Sequence, residues 1–182
     1  MGDKLDQLPT IAPQDYIAAV AQHVSSVCVI TTECEGQRYG LTATAVSSVT
    51  ADPPRLMTCI NRSGTTHDAI IKAGRFCVNV LSEDQDMIAM VFAGMGGAVD
   101  DRFAVGRWTK LKTGAPVLEG ASASFDCRMS EVMEQSSHSV IFGDVLAEQH
   151  QPGQDTILYG QRRFRQMRKV FAGLGSGDTE YL

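Results

Sequence analysis

Residues 40–50 read Gly-Leu-Thr-Ala-Thr-Ala-Val-Ser-Ser-Val-Thr, and residues 52–54 read Asp-Pro-Pro. The β-branched residues favour an extended strand, and the prolines end it because proline cannot donate to a β-ladder. Small and hydroxylated side chains alternate here where a core strand would carry large ones. Small side chains let a flat ring lie close to the backbone, whose N–H groups and neighbouring hydroxyls can bond the edge of the ring. A Thr/Ser strand that faces solvent would show the same pattern, so the stretch alone leaves both interpretations open.

Strand-like segments lie on both sides of this stretch. Residues 27–32 are β-branched and apolar, residues 33–37 contain a glycine turn, and residues 38–50 resume as extended chain, which predicts a hairpin. After the prolines, residues 55–60 form another apolar segment. Further strands are predicted over residues 76–81, 108–111, 121–133, 139–149 and 156–159.

Three short helices are predicted between these strands. The first begins at Pro13, and its apolar stripe comprises Tyr16, Ile17, Val20 and Val24. The second covers residues 67–73 and ends at Gly74. The third is capped by Ser82, and its apolar side comprises Met87, Ile88, Val91 and Phe92. The predicted fold class is therefore mainly β with short helices, and a closed or nearly closed β-barrel would remove the exposed edges of such a sheet.

The length and charge of the chain limit the classes of protein to which it can belong. A chain of 182 residues suits one compact domain, which we expect over residues 13–170, between a lead-in over residues 1–12 and a tail over residues 171–182. The net charge is −5, and the 16 lysines and arginines are scattered along the chain. This distribution argues against a nucleic-acid groove and against a polybasic membrane patch. No apolar stretch approaches the ~20 residues of a membrane span.

The five cysteines indicate a reducing compartment. Their number is odd and no CxxC pair occurs, which argues against a disulfide framework and against a zinc site. Most of them lie in apolar, strand-like runs, where a free cysteine behaves as a small buried hydrophobic residue. Residues 1–6 carry acidic side chains and no apolar segment, unlike a signal peptide. We therefore expect a cytoplasmic protein.

The usual catalytic signatures are missing from the sequence. No GxSxG elbow, Walker loop or HExxH motif occurs, and the four histidines lack metal-ligand spacing, so no metal site is predicted. Glycine-rich stretches lie at residues 94–97 and 173–177, but neither has the strand-turn-helix order of a dinucleotide fingerprint. If the chain is an enzyme, a cofactor must carry the reaction.

Residues 61–66, Asn-Arg-Ser-Gly-Thr-Thr, join the end of a predicted strand to the start of a helix. Backbone N–H groups, hydroxyls and an arginine at a helix N-terminus form a natural phosphate site. Simple capping of the helix would use the same residue types. The sequence leaves these two interpretations open.

Taken together, the ordered blocks of the chain resemble the flavin reductase-like family, and most closely the reductase components of two-component aromatic hydroxylases. The resemblance runs from about Tyr16 to Arg165. Each block is weak by itself, and the ordered set is specific. The blocks are GLTATAVSSVTADPPRLMTCIN (40–61), FCVNVL (76–81), FAG (92–94), DRF (101–103), GAPVLEGASASFDC (114–127), SHSVIFGDV (137–145) and LYGQRRFR (158–165).

The resemblance implies a split β-barrel homodimer of the FMN-binding type, with FMN or FAD as flavin and NADH or NADPH as hydride donor. The residues that would line the isoalloxazine ring are Thr42, Ala43, Thr44 and Ala45. Those that would hold the ribityl chain and phosphate are Ser47, Ser48, Asn61, Arg62, Ser63 and Thr66. Phe92 and Arg102 would flank the pocket. His138 would face the nicotinamide, and Ser136-Ser137 precede it where family members often carry Gly-Asp or Gly-Thr.

The activity implied by the resemblance is reduction of FMN or FAD, with reduced flavin passed to a partner monooxygenase. Some relatives instead keep FMN tightly bound and reduce another acceptor, such as the cobalt of a cob(II)alamin-type corrin. A flavin-binding module without enzymatic activity is a third interpretation. The sequence does not show whether FMN or FAD is the preferred flavin, or whether NADH or NADPH is the preferred donor. It also does not identify the final acceptor.

Overall fold

The computed structural model of the chain describes residues 8–95 and 101–167, which contain three α-helices and twelve strands. The predicted lead-in is thus described only from Leu8, and the predicted tail and the 173–177 glycine stretch lie outside the described residues, as do Gly96 and Gly97. The elements are α1 (Pro13–Val20), β1 (Ser25–Ser26), β2 (Cys28–Cys34), β3 (Gln37–Ala43), β4 (Val46–Ala51), β5 (Pro54–Asn61), α2 (Thr65–Ala73), β6 (Arg75–Val80), α3 (Asp86–Phe92), β7 (Trp108–Lys110), β8 (Pro116–Leu118), β9 (Ala123–Gln135), β10 (His138–His150), β11 (Leu158–Gly160) and β12 (Arg163–Arg165).

A seven-stranded sheet in the order β3-β2-β6-β9-β10-β5-β4 forms the body of the fold. All of its strand pairs are antiparallel. β3 and β4 are consecutive in the chain yet lie at opposite edges of this sheet, and only Thr44 and Ala45 join them. Because successive Cα atoms are ~3.8 Å apart, the two edges must approach each other at this corner.

This corner corrects one expectation from the sequence. The predicted hairpin exists, since β2 pairs with β3, but residues 38–50 do not form one strand. The chain leaves one sheet edge after Ala43 and starts the other edge at Val46, where β4 pairs with β5. The backbone N–H of Cys59 donates to the carbonyl oxygen of Ala45 at 3.0 Å and fixes the end of the connection.

One hydrophobic cluster fills the inner face of the large sheet. Phe76, Ile60 and Ile141 are at most 1% exposed and belong to it. Gly143 in β10 lies against this cluster so closely that an added Cβ would be 2.6 Å from Cζ of Phe76 and 2.8 Å from Cβ of Cys127. Glycine at 143 is therefore required by the close packing of β10 on Phe76.

A second hydrophobic cluster packs α3 against the sheet. Phe92 at the end of α3 is 1% exposed, and its ring centroid lies 5.0 Å from that of Phe103 and 5.4 Å from that of Trp108. Phe103 belongs to a single 3-10 turn, Arg102–Ala104. The β7–β8 pair and the small β1-β11-β12 sheet complete this side of the molecule. The cluster holds α3 and the 3-10 turn beside β3.

Each of the three helices differs from the sequence prediction, and α2 does so only in beginning at Thr65 instead of residue 67. α1 ends at Val20, so Val24 lies outside it, and no residue of α1 is buried. α3 begins only at Asp86, and Ser82 is not its cap. Ser82 instead forms an isolated β-bridge with Thr156, and its own N–H donates to the side chain of Gln85. Within the described residues no helix is long and apolar enough to cross a membrane.

All five cysteines are free thiols, and four of them are buried. Burial raises the pKa of Cys28 to about 12, and burial is also the main cause that raises the pKa of Cys127 to about 12. The pKa of Cys77 is raised for the same main reason. Cys59 is half-buried. The thiols in the core therefore stay protonated and serve as small hydrophobic residues.

Candidate functional site

The corner between β3 and β4 opens into a cavity of about 390 Å³. Its walls come from the end of β3, the two-residue connection, the end of β5, the end of α3 and the first residue of β10. The cavity lies where the two edges of the large sheet approach each other, so residues distant in sequence face one space. The lining residues are Leu41, Thr42, Ala43, Thr44, Ala45, Cys59, Ile60, Asn61, Phe92, Ala93 and His138.

The connection between the two sheet edges supplies unpaired backbone donors. The N–H groups of Thr44 and Ala45 have no hydrogen-bond partner among the residues the structure describes, and both residues are exposed. The side chains of Ala43 and Ala45 are short, so this wall of the cavity is close to bare backbone. The hydroxyl of Thr42 donates to the carbonyl oxygen of Ala89 at 2.7 Å. Thr42 therefore ties β3 to α3, and its hydroxyl hydrogen is already used.

His138 opens β10 on the opposite wall of this cavity. Its Cα is paired with that of Asn61 in β5 and with that of Gln135 in β9. The imidazole is exposed, and its Nδ1 lies 2.9 Å from Oγ of Ser137. Ser136, in the preceding turn, has a φ of 51°, in the left-handed region that glycine adopts more easily. The Nε2 of His138 has no hydrogen-bond partner within the described parts of the chain, so it is available to bind a ligand.

The segment between β5 and α2 is held by its own side chains. Oδ1 of Asn61 accepts hydrogen bonds from both N–H and Oγ of Ser63, each at 2.9 Å. Gly64 is the N-cap of α2, and no side chain caps the helix there. This observation weighs against the capping interpretation and leaves N–H groups of the first helical turn available for an anion.

Arg62 is engaged by its neighbours in this structure. Its guanidinium forms a 2.9 Å ion pair with Glu134 and donates to the carbonyl oxygen of Ser136 at 3.3 Å. Both partners of the ion pair are well exposed, at 41% and 64%. Exposed ion pairs of this kind are weak. A phosphate group that approached Arg62 would have to compete with Glu134.

Thr66 and Arg102 line a second cavity, of about 740 Å³, beside the first half of β3. Thr66 is 6% exposed, and its hydroxyl has no hydrogen-bond partner among the described residues. Nη1 of Arg102 lies 3.5 Å from the carbonyl oxygen of Gly40 and 3.4 Å from that of Phe92. Since Phe92 also lines the first cavity, Arg102 and Phe92 stand at the boundary between the two spaces.

Ser47 and Ser48 are placed differently from the other expected site residues. Both are exposed on β4, where the hydroxyl of Ser47 donates to the carbonyl oxygen of Ser48 at 3.1 Å. Neither residue lines the 390 Å³ cavity or the 740 Å³ cavity. The structure thus brings Thr42, Ala43, Thr44, Ala45, Asn61, Phe92 and His138 together and leaves these two serines on the neighbouring edge.

Nothing in the sequence singles out His67, a buried histidine that follows the 61–66 segment. Its Nε2 lies 3.0 Å from Oγ of Ser139, and its Nδ1 lies 3.1 Å from Oδ1 of Asp68. The order Ser-His-Asp is that of a hydrolase triad, but Ser139 is only 1% exposed and cannot reach a substrate. His67 therefore fastens the start of α2 to β10, one residue after His138. Its place directly after the polar 61–66 segment is the one available signal, and that signal is too weak to single it out.

Residues 20–168 match the flavin reductase like domain family, and the chain belongs to this family. It is 39% identical over 159 residues to the FMN reductase (NADH) RutF of Variovorax paradoxus, a match that covers 87% of this chain and 88% of that protein. It is 40% identical over 168 residues to the protein of the same name from Pseudomonas syringae, with 87% and 92% covered.

Solved structures of flavin reductases share the fold. The flavin reductase PheA2 in its native state matches with a TM-score of 0.81 at 26% identity, over 87% of this chain and 100% of that one. The styrene monooxygenase flavin reductase SMOB of Pseudomonas putida S12 matches with a TM-score of 0.77 at 25% identity, over 86% of this chain and 99% of that one. The ordered blocks in the sequence therefore identified the family correctly.

Proposed function

We propose that the chain is an NADH-dependent flavin reductase that reduces FMN and releases it to a partner monooxygenase. The observation that carries the proposal is the 390 Å³ cavity, where a nearly bare backbone wall faces His138 and Asn61. When bound there, FMN supplies the group that accepts a hydride: NADH and FMN, with one proton, give NAD⁺ and reduced FMN. The two relatives named FMN reductase (NADH) support this choice of flavin and donor, and the same chemistry would serve NADPH.

The residues present fit a flavin ring. Ala43 and Ala45 leave room for a flat group against the backbone, and the N–H groups of Thr44 and Ala45 are donors without partners in the described structure. Such donors stabilise negative charge that develops on the edge of a ring during reduction. His138 lines the same cavity and would orient the nicotinamide. These side chains bind and orient, and the reaction needs no nucleophile from the protein.

The phosphate of the flavin would be held at the N-terminus of α2. Thr66 offers a hydroxyl without a partner among the described residues, Ser63 offers a second hydroxyl, and Arg102 brings a positive charge. Arg62 would add a second charge once released from Glu134. Ser47 and Ser48, on the neighbouring strand β4, would meet the ribityl chain.

We further propose that the sheet is a split β-barrel and that the domain, over residues 13–170, pairs as a homodimer in the cytoplasm. The approach of β3 and β4 at Thr44 and Ala45 supports the split barrel. The exposed apolar side chains of α1 support the dimer, and five free cysteines suit a reducing compartment. The name of SMOB, a styrene monooxygenase flavin reductase, supports a monooxygenase as partner.

A larger side chain in the 390 Å³ cavity tests the proposal, because it would exclude the flavin ring. We expect the protein to oxidise NADH only when FMN or FAD is added, and Ala45→Leu to raise the dissociation constant of FMN at least about tenfold by steric exclusion. Ala51→Leu, at the exposed end of β4, is the matched control and should leave FMN affinity unchanged. Flavin fluorescence titration and NADH absorbance measure the two quantities. A folded protein that oxidises no NADH with either flavin would contradict the proposed function.

A further inference from the structure

Two further cavities share Thr44 with the 390 Å³ cavity. One, of about 190 Å³, lies between the end of β3, α3 and the β11–β12 hairpin. The other, of about 290 Å³, lies between α1 and the same hairpin, and Tyr159 lines both. None of the described residues that line these three cavities is acidic, although the chain carries 21 aspartates and glutamates. An anion therefore meets no carboxylate on these walls.

The turn between β11 and β12 presents an arginine to the 290 Å³ cavity. Gln161 and Arg162 form this turn with φ angles of 53° and 59°, a conformation that glycine and asparagine adopt more easily. The backbone N–H of Gln161 donates to the carbonyl oxygen of Ala21 at 2.6 Å, and its side-chain amide donates to Oε1 of Gln22 at 3.0 Å. These bonds to the end of α1 hold the turn, and they keep Arg162 in the lining of the cavity.

Two more arginines follow the turn in β12. Arg163 and Arg165 flank Phe164, whose ring centroid lies 5.6 Å from that of Tyr159. Successive side chains of a strand point to opposite faces, so the two arginines project away from this aromatic pair. Both are exposed, as is Arg162. We call these three residues the arginine hairpin.

The arginine hairpin differs from the other exposed arginines in its partners. Four of those form ion pairs with carboxylates, namely Arg38, Arg62, Arg107 and Arg128. Arg102 bonds backbone carbonyl oxygens. Within the part of the chain that the structure describes, the hairpin arginines form no ion pair, and the side chain of Arg165 bonds the neutral Oε1 of Gln161 at 2.6 Å. Residues 21–26, which adjoin the hairpin, include no acidic residue.

We propose that the arginine hairpin captures the anionic hydride donor and speeds its arrival at the flavin ring. This inference rests on the proposed function, since it assumes a flavin in the 390 Å³ cavity. The proposed site assigns Arg62 and Arg102 to the flavin phosphate and leaves the pyrophosphate of NADH without a cation. A chain of net charge −5 repels NADH on average, whereas three positive charges beside walls without carboxylates attract it over a Debye length, ~10 Å at 0.1 M salt. Such attraction acts chiefly on the rate of association.

The salt dependence of flavin reduction tests the inference. Stopped-flow reduction of the FMN-saturated full chain by NADH gives a second-order rate constant at low NADH and a limiting rate at saturation. Arg162→Gln/Arg163→Gln/Arg165→Gln should lower the second-order rate constant about tenfold at an ionic strength of ~0.02 M and less than about threefold at ~0.5 M. The limiting rate should stay within about twofold. Arg163→Gln alone should act in the same direction, and it serves if the triple variant does not fold.

Three controls separate capture by charge from other effects. Lysine at all three hairpin positions should keep the second-order rate constant within about twofold, because long-range attraction needs the charge and not the guanidinium shape. Dihydronicotinamide riboside, a donor without phosphates, should be insensitive to the hairpin variants and to salt. Arg107→Gln/Lys110→Gln/Lys112→Gln removes the same charge from exposed positions that line none of the three cavities, and it should keep the NADH rate constant within about twofold.

The outcomes distinguish this inference from the proposed function. An equal loss with both donors, a loss that salt does not diminish, or an equal loss in the control triple variant would overturn capture by the hairpin. So would an NADH rate constant that salt leaves unchanged in the unaltered protein. In each of these cases, reduction of FMN by the unaltered protein still upholds the proposed function. No reduction of FMN by NADH would overturn both.

Discussion

His138 is the single side chain on which the nicotinamide half of the proposed site depends. It is exposed, and its Nε2 is without a partner in the described structure. We expect His138→Ala to lower kcat/KM for NADH about 5–150-fold, the equivalent of ~1–3 kcal/mol, because the residue positions the donor. The affinity for FMN should change by no more than about threefold. The loss should be incomplete, since hydride transfer requires no proton from this imidazole.

Stopped-flow reduction of bound FMN at several NADH concentrations measures both binding and chemistry. The matched control is His150→Ala, at the other end of the same strand, where the imidazole pairs with Glu148 at 2.8 Å and lines no part of the cavity. Normal kinetics in a folded His138→Ala protein would mean that the nicotinamide binds elsewhere.

At the scale of single residues, the sequence predicts which residues form the candidate site but not which partners their side chains bond. The resemblance placed Thr42 and Arg62 beside a flavin, and the structure puts Thr42 on the wall of the cavity and Arg62 in the segment beside it. It could not predict that the Thr42 hydroxyl bonds Ala89 or that Arg62 pairs with Glu134. These partners come from other elements, and no local pattern encodes which side chain arrives from a distant strand.

Among the elements, the adjoining strands β5, β10 and β9 are linked by one carboxylate, that of Asp144, which forms ion pairs with two arginines. Asp144 in β10 lies 2.8 Å from Arg55 in β5 and 3.1 Å from Arg128 in β9. The hydrogen bond from Arg128, and then that from Arg55, holds the pKa of Asp144 below its ordinary value of 3.8. A lowered pKa in the folded state means that the ionised form stabilises the fold. This contribution is present above the ordinary value and is lost as the pH falls through the folded-state pKa.

We therefore expect Asp144→Asn to lower the free energy of unfolding at pH 7 and to flatten its decline in acid below about pH 4. Urea unfolding at a series of pH values measures both. Glu131→Gln, an exposed carboxylate on β9, is the control and should leave the acid-range slope as in the unaltered protein. An Asp144→Asn protein with the unaltered slope would show that these ion pairs carry none of the acid sensitivity.

Elements with a strong local pattern were predicted, and those that depend on distant contacts were not. The hairpin of β2 and β3 and the long strands β9 and β10 follow from β-branched runs separated by turns. The break at Thr44 was missed because small and hydroxylated residues continue unchanged through it, and only the edge that β4 joins decides where the strand ends. Ser82 resembled a helix cap, but its backbone pairs with Thr156, which sequence periodicity cannot reveal.

At the scale of the whole molecule, α1 exposes an apolar stripe that no other part of the described chain covers. Tyr16, Ile17 and Val20 are 58%, 55% and 48% exposed on a helix with no buried residue. A stable dimer buries roughly 800 Å² on each partner, and an apolar stripe of this kind suits such an interface. We expect sedimentation at micromolar concentration to show a homodimer.

We expect Ile17→Glu to shift this dimer toward monomer, because a charge would be buried in the interface. Ala18→Glu, which adds the same charge to the same helix away from the stripe, should leave the dimer intact. A stable monomer for the unaltered chain would contradict the expected assembly, and an intact Ile17→Glu dimer would mean that the interface lies on another face.

Gly40 and Phe92 together constrain how this sequence can change over time. A Cβ at position 40 would lie 2.6 Å from Cε1 of Phe92, and the carbonyl oxygen of the same glycine is within 3.5 Å of Arg102. A side chain at 40 is thus compatible with the fold only where residue 92 has already become smaller, and a smaller residue at 92 alone leaves a void beside the Phe103 ring. The two positions are therefore epistatic. Their substitutions must occur together or in a narrow order, and any lineage that makes the change alters the linings of both the 390 Å³ cavity and the 740 Å³ cavity at once.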